Sequence, residues 1–164
     1  MKTHEEYMEL ALEEARKAEE IDEVPVGCVI VCDGEVISRG HNLKEQLNQA
    51  YAHAEMMAIQ KAEEVKGNWC LNDCDLYVTL EPCMMCTGII NLSRIRSVYY
   101  GTTDPKGGCL ETVIDLKKIN RLNHYPNIVG NILQKECAEI LTNYFRKKRE
   151  ITKEKKHKNK ANIQ

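Results

Sequence analysis

The chain has 164 residues, of which 43% are hydrophobic and 29% are charged, and its formal net charge is −2. This length suits one domain with a substantial core, and the composition is that of an ordinary soluble globular protein. No apolar stretch approaches the roughly 18 residues of a membrane-spanning helix, and the acidic N-terminus is unlike a signal peptide, so the sequence predicts a cytoplasmic protein.

The N-terminal part predicts a helix, a β-hairpin and a second helix. Thr3 and Glu6 fit a capping box at the start of a helix whose apolar residues recur at helical spacing. Two β-rich runs in VPVGCVIVCDGEVISRG then flank Asp33-Gly34, and Asp-Gly between such runs is a strong hairpin signal. After a loop, a helix is predicted over residues 53–65.

The rest of the chain alternates strands with helices, which indicates a layered α/β domain. Pro82 follows a predicted strand and suits the opening of a helix. The predicted elements are a strand at 75–80, a helix at 83–92, strands at 97–101 and 127–133, a short helix at 112–119 between them, and a last helix from about residue 135. Residues 1–150 are predicted to form this domain and 151–164 a basic tail, of which the last ten residues are predicted to be disordered.

Three side chains suited to metal binding lie at the starts of two predicted helices. His53 lies in AHAEMMAIQ, and Cys83 and Cys86 lie in EPCMMC, where their spacing places them on one helical face. Backbone N–H groups and the helix dipole favour thiolates at such a helix start. Three protein ligands leave a tetrahedral zinc ion one open position, as in a catalytic site, whereas a structural site has four. The sequence therefore predicts one zinc ion per chain, although Cys-x-x-Cys alone also fits a redox pair.

Glu55 follows His53 by two residues, which is about 200° of rotation along a helix. It would thus point away from the metal ligands and still reach water in the open position. Zinc makes hydroxide available near neutral pH, and Glu55 would carry the proton from water to substrate. The pattern H-x-E…P-C-x-x-C is typical of zinc nucleobase deaminases. It indicates the reaction more strongly than the substrate.

The other cysteines have less specific patterns. A cytosolic setting keeps thiols reduced, so close pairs favour metal binding over disulfides. Cys28 and Cys32 lie in an apolar β-like run and are predicted to be core residues. Cys70 and Cys74 flank the start of a strand with no histidine near them, so a second zinc site is not predicted there.

Beyond these motifs, the chain resembles the bacterial tRNA-specific adenosine deaminases. The similar stretches include EVPVG, GHN, AHAEMMAI, LYVTLEPCMMC, YGTTDPKGG, LNH and ECAEILTNYFRKKR. The resemblance implies a cytidine-deaminase-like, three-layer α/β/α sandwich with a five-stranded mixed sheet. It also implies a homodimer, without an organic cofactor, that converts adenosine to inosine at the wobble position of a tRNA anticodon, usually that of the arginine tRNA with anticodon ACG.

The resemblance further assigns contacts with the anticodon stem-loop. Asn42, the backbone of Ala54 and Asn123 would contact the flipped nucleotide. The flanking RNA would be contacted by the remaining residues of this set, which are Asp104, Lys106, His124, Phe145, Arg146 and Arg149. Turn chemistry also explains Asn42, Asp104 and Lys106, and the spacing of Phe145 from Leu141 favours a place in the core.

The helix that begins MMCTGIINLS also has two readings. Met84, Met85, Ile89 and Ile90 offer more apolar surface than the core-facing side of one short helix needs. They would pack against a second copy in a dimer or against the sheet of the same chain.

Charge is distributed unevenly, and it bears on the alternatives. Residues 146–164 carry nine Lys or Arg against two acids, which fits either a solvated tail or contacts with phosphates. A deaminase of a free base or nucleotide, such as guanine or cytosine, has little use for such a tail. A non-catalytic zinc-containing RNA-binding subunit would not need Glu55, and a structural zinc module needs a fourth ligand.

Overall fold

The computed structural model describes residues 1–163 and contains the elements that the sequence predicts, in the same order. A short helix, α2, was not predicted. The elements are α1 (His4–Glu20), β1 (Gly27–Cys32), β2 (Glu35–His41), α2 (Lys44–Leu47), α3 (Ala54–Lys66), β3 (Cys74–Leu80), α4 (Met84–Leu92), β4 (Ser97–Thr102), a 3-10 turn (Leu116–Lys118), β5 (Asn127–Val129) and α5 (Gln134–Ala161).

The strands form one mixed sheet in the order β2-β1-β3-β4-β5. Strand β1 runs antiparallel to β2 and β3, whereas β3, β4 and β5 are parallel. Asp33 and Gly34 have φ angles of 50° and 80°, the left-handed backbone that the predicted two-residue hairpin turn requires. The five-stranded mixed sheet is therefore confirmed.

Helices cover both faces of the sheet. Successive strand residues point to opposite sides, and apolar residues on both sides need a helix to bury them. On one face α3 and α4 bury Ala58, Ile59 and Ile90 against strand residues such as Ile30 and Val78. On the other face α1 packs on alternate strand residues with Met8, Ala11 and Leu12, and α5 adds Cys137. This confirms the three-layer sandwich, and Cys28 and Cys32 are buried in it as predicted.

Close packing on β2 positions the start of α3. A Cβ added to Gly40 would lie 2.6 Å from the carbonyl oxygen of Ala54 and 2.7 Å from the amide nitrogen of Ala58. Glycine therefore lets the first turn of α3 lie directly on the strand, as overpacking would otherwise push the helix away. His53 comes immediately before this turn.

Two predicted elements are shorter in the structure. Strand β5 ends at Val129 instead of residue 133, because Asn131 and Leu133 have positive φ angles of 64° and 49° that break an extended strand. The helix predicted at 112–119 is reduced to the single 3-10 turn at Leu116–Lys118, which the Asp115 side chain caps by accepting the N–H of Lys117.

The tail differs from its prediction, because α5 continues as a helix to Ala161 where disorder was predicted. Lysine and glutamate are good helix formers, and extending a helix that is already packed needs no new nucleus. Tyr144 is the last buried side chain in the described part of the chain, and residues 151–163 are exposed. The boundary at residue 150 stays a prediction. Within residues 1–163, no helix has both the length and the apolar character needed to cross a membrane.

Candidate active site

His53, Cys83 and Cys86 meet where the N-terminal ends of α3 and α4 converge. His53 and Cys83 are the N-cap residues of these helices and have extended backbones, and Cys86 lies in the first turn of α4. Nδ1 of His53 lies 3.5 Å from Sγ of Cys83 and 3.6 Å from Sγ of Cys86. Nitrogen and sulfur ligands of one tetrahedral zinc ion are about 3.5 Å apart. The three donor atoms therefore fit zinc.

Hydrogen bonding has already prepared one sulfur for metal binding. The pKa of Cys83 is lowered to about 4, because the Cys86 thiol and then His53 donate hydrogen bonds to it against the effect of burial. The hydrogen bond between His53 and Cys83 also raises the pKa of His53. The pKa of Cys86 is raised by its bond to Cys83 and by burial, so metal binding must displace its proton.

Glu55 lies in the first turn of α3 and is 4% exposed. Removal from water raises the pKa of its carboxyl. It faces a cavity of about 210 Å³ that also contains His53 and Cys83. The lining residues are Val24, Val26, Asn42, Lys44, His53, Ala54, Glu55, Leu80, Glu81, Cys83 and Asp104. Two of the three candidate metal ligands and a buried carboxyl group thus share one small cavity.

Three of the predicted RNA contacts, Asn42, Ala54 and Asp104, line this cavity. Asn42 donates to the carbonyl of Val24 at 3.3 Å and accepts the N–H of Lys44 at 3.1 Å. Asp104 accepts the N–H groups of Lys106 and Gly107 at 3.0 and 3.1 Å. Both side chains therefore make the turn contacts that were the alternative, and they do so at the wall of the cavity.

The cavity lining within residues 1–163 leaves out Lys106, Asn123 and His124. Lys106 and Asn123 are exposed. The ring nitrogen Nε2 of His124 lies 2.6 Å from the carbonyl oxygen of Ile95, and its own carbonyl accepts a hydrogen bond from Asn91. His124 is therefore fixed against the end of α4.

Phe145 is 44% exposed, so its predicted place in the core is wrong, and its neighbour Tyr144 is buried instead. Phe145 lies in a surface groove of about 340 Å³ on α5, here called the basic groove, formed by Phe145, Lys148, Arg149, Thr152, Lys153 and Lys156. A second depression joins Phe145 to Val24, which also lines the cavity. This depression therefore shares lining residues with both the cavity and the basic groove.

Sequence reasoning assigned no role to Glu81, which the structure places at the wall of the cavity. Its buried carboxylate accepts N–H groups from Asp104, Leu110 and Glu111 at 3.0–3.3 Å, and from Thr112 it accepts both the N–H and the hydroxyl. Burial raises the pKa of Glu81, but these bonds outweigh burial and lower it overall. Glu81 thus ties the 104–112 loop to the metal-ligand end of β3. The available signal was an acidic residue between a buried strand and Pro82-Cys83.

The comparison with protein families agrees with this site. The model of the cytidine and deoxycytidylate deaminase zinc-binding region matches residues 1–102, which include all three candidate ligands and Glu55. The chain belongs to this family of zinc-binding deaminases.

Its relatives define a narrower group. The chain is 47% identical over 150 residues to the tRNA-specific adenosine deaminase of Bacillus subtilis, covering 92% of this chain and 91% of the relative. It is 48% identical over 148 residues to that of Agrobacterium fabrum, covering 90% and 96%. A solved structure from studies of A-to-I editing by tRNA:A34 deaminases at the wobble position of transfer RNA matches with a TM-score of 0.80 and 48% identity, over 83% of this chain and 99% of the other.

Proposed function

We propose that this protein is a zinc-dependent tRNA adenosine deaminase that forms inosine at the wobble position of an anticodon. The observation that carries the proposal is the buried Glu55 beside His53, Cys83 and Cys86 in a chain 47% identical to a tRNA-specific adenosine deaminase. Its proposed substrate is the arginine tRNA with anticodon ACG, and its proposed place is the cytoplasm.

His53, Cys83 and Cys86 would hold the zinc ion, and two of them, His53 and Cys83, line the cavity. Zinc in such a site is a Lewis acid that makes hydroxide available near neutral pH. The overall reaction takes adenosine and water to inosine and ammonia. Glu55 lines the cavity and would take a proton from the attacking water and deliver it toward the departing amino group.

The cavity and the basic groove suit different parts of an RNA loop. A cavity of about 210 Å³ has the scale of one flipped base, which Asn42, Ala54 and Asp104 would surround. The basic groove combines an exposed aromatic ring with cations, as surfaces that bind single-stranded nucleic acid do. Asn123 would contact the flipped nucleotide from outside the cavity lining. Lys106, His124, Phe145 and Arg149 would contact the flanking nucleotides, and residues 151–163 would extend this surface beyond the deaminase domain.

We also propose that the protein forms a homodimer through α4. Met84 and Leu92 are 67% and 63% exposed on this helix, and an apolar hollow of about 300 Å³ lies beside them. The hollow continues along Ile114, Ile119 and Leu122. An apolar surface of this kind is typical of an interface between subunits.

A substrate panel tests the proposed function. Zinc-loaded protein is offered an ACG anticodon stem-loop and, separately, guanine, cytosine and cytidine, and products are identified by mass spectrometry. We expect inosine from the stem-loop and no turnover of the free compounds. Turnover of a free base without inosine in the stem-loop would assign the site to a free-base deaminase instead.

A further inference from the structure

A second cluster of metal-ligand side chains lies where β1 ends and β3 begins. Cys32 is the last residue of β1 and pairs across the antiparallel ladder with Cys74, the first residue of β3. The carboxylate of Asp73 accepts from the Cys32 thiol at 3.3 Å and from the Cys74 thiol at 3.4 Å. One donor atom from each residue lies within 4.8 Å of the others. We call this group the Cys32–Cys74 cluster.

The cluster already attracts a cation. Nζ of Lys66, the last residue of α3, lies 2.6 Å from Oδ2 of Asp73 and 3.6 Å from Sγ of Cys32. The Asp73 side chain is 43% exposed and that of Lys66 is 28% exposed, so the cluster opens to solvent on this side. The Lys66 ammonium group therefore already contacts two of the three candidate ligands.

The fold supplies the ligand that the sequence lacked. In the sequence, the cysteine nearest to Cys74 is Cys70. Among residues 1–163, however, the cluster contains Cys32 from another strand and does not contain Cys70. Two cysteine sulfurs with one carboxylate oxygen form a donor set that favours zinc over calcium or magnesium. All three ligands lie at strand ends that the sheet holds together, so the set is largely formed before a metal arrives.

We propose that Cys32, Asp73 and Cys74 form a second metal site that binds a thiophilic divalent cation such as Zn²⁺ in place of the Lys66 ammonium group. On binding, the two thiols release their protons to solvent, and the metal takes two thiolates and one carboxylate oxygen. Lys66 turns outward, and water completes the tetrahedron. The ion links β1 to β3 beside the hairpin turn. This proposal does not depend on the deaminase function.

Zinc stoichiometry tests the site directly. Reduced protein is equilibrated with Zn²⁺, separated from free metal, and measured by elemental mass spectrometry. We expect two zinc ions per chain, and one in a Cys83→Ala variant that lacks the ligand set at the cavity. A single zinc in the wild-type protein, or none in Cys83→Ala, would overturn the second site.

Matched variants then identify the ligands. Cys32→Ser and Asp73→Asn should each lose the second zinc, and Asp73→Asn does so without changing the buried core. Cys70→Ser is the control and should keep both ions. Loss of the second zinc from Cys70→Ser, or its retention by both Cys32→Ser and Asp73→Asn, would reject the ligand assignment.

Lys66→Met separates a metal site from an ion pair that only stabilises the fold. Removing the competing ammonium group should tighten zinc binding at the cluster by about twofold to fivefold, the factor of one exposed ion pair. Weaker or unchanged binding would contradict the proposed exchange. If Cys32 and Cys74 instead form a disulfide on mild oxidation and the reduced pair takes up no zinc, the cluster is a thiol pair and the metal proposal fails.

Discussion

His53 and Glu55 have different environments because α3 begins between them. His53 has the extended backbone of an N-cap, and Glu55 lies within the first turn. The sequence predicted both residues within the helix and explained their separation by helical rotation. The residue types and the spacing of H-x-E and C-x-x-C singled out three candidate ligands that the structure brings together, but helix ends depend on packing such as that of Gly40 on α3.

At Glu55, substitution should separate chemistry from metal binding. Glu55→Gln keeps the shape of the side chain but removes the proton carrier, so turnover should fall by roughly 10²–10⁴-fold while zinc content is unchanged. Single-turnover kinetics and elemental analysis measure the two quantities. Glu64→Gln, an exposed change on the same helix, is the control. Near-normal turnover by Glu55→Gln would contradict the assigned role.

Glu81 should matter for stability as well as for the cavity. In the wild-type protein three backbone N–H groups share one carboxylate oxygen of Glu81. Glu81→Gln replaces one of the two carboxylate oxygens with an NH₂ group that cannot accept, so N–H groups in the loop lose an acceptor. We expect the free energy of unfolding to fall by about 1–3 kcal/mol, measured by denaturant titration. The exposed Glu45→Gln should change it little. Equal stability of the two variants would show that the 104–112 loop does not depend on Glu81.

The elements themselves differ in how far the sequence predicted them. Strongly patterned elements such as the β1-β2 hairpin and α4 were predicted nearly to their ends. Strand β5 and the helix at 112–119 were both predicted too long. For β5 the reason is that the positive φ angles at Asn131 and Leu133 are not visible in a hydrophobic pattern. The exposure of Phe145 was missed because helical spacing does not show which side of α5 packs against the rest of the domain.

The α4 surface predicts a change in oligomeric state. Met84→Glu with Leu92→Glu places charges in the proposed interface, so the dimer should dissociate into monomers that remain folded. Light scattering during size-exclusion chromatography measures the mass. Val65→Glu is a matched control, because Val65 on α3 is as exposed as Leu92, at 63%. A monomeric wild-type protein, or a dimer unaffected by the α4 changes, would contradict this interface.

The basic groove predicts a salt-dependent effect on RNA binding. Arg149→Ala with Lys153→Ala should weaken binding of the stem-loop and reduce the slope of log K against log salt by about 0.7 for each phosphate that the protein no longer neutralises. Binding titrations at several salt concentrations give this slope. Lys135→Ala, at the far end of α5, should leave the slope unchanged. An unchanged slope in the double variant would place the RNA elsewhere.

Over the whole molecule, the alternation of strands and helices predicted the fold class, whereas the pairing of distant strands was not visible. Only the sheet order places β1 between β2 and β3 and so brings Cys32 next to Cys74. Similarly, Glu81 and the 104–112 loop meet through tertiary structure. Local motifs therefore indicated the candidate ligands and Glu55, whereas the long-range contacts required the structure.

Buried carboxylates should make the stability of the whole molecule sensitive to acid. Burial raises the pKa of Glu14, but hydrogen bonds from Lys17 and His41 outweigh it and lower the pKa below its ordinary 4.5. The contribution of ionised Glu14 to the free energy of unfolding is therefore complete above pH 4.5 and is lost as the pH falls below that value. Glu14→Gln should lose stability at neutral pH and lose less on acidification than the wild type. Thermal unfolding measured from pH 7 to 3 gives this dependence, with the exposed Glu13→Gln as the control. Identical dependence of stability on pH in the two variants would contradict the role assigned to Glu14.

The position of inosine in an ACG anticodon stem-loop shows whether this protein deaminates the wobble adenosine. After incubation with zinc-loaded protein, the RNA is cleaved into nucleotides of known position and analysed by mass spectrometry beside a Glu55→Gln reaction. We predict inosine at the wobble position in the wild-type reaction and adenosine there with Glu55→Gln. Unchanged adenosine at the wobble position with the wild-type protein, or inosine formed equally by both proteins, would contradict the proposed function.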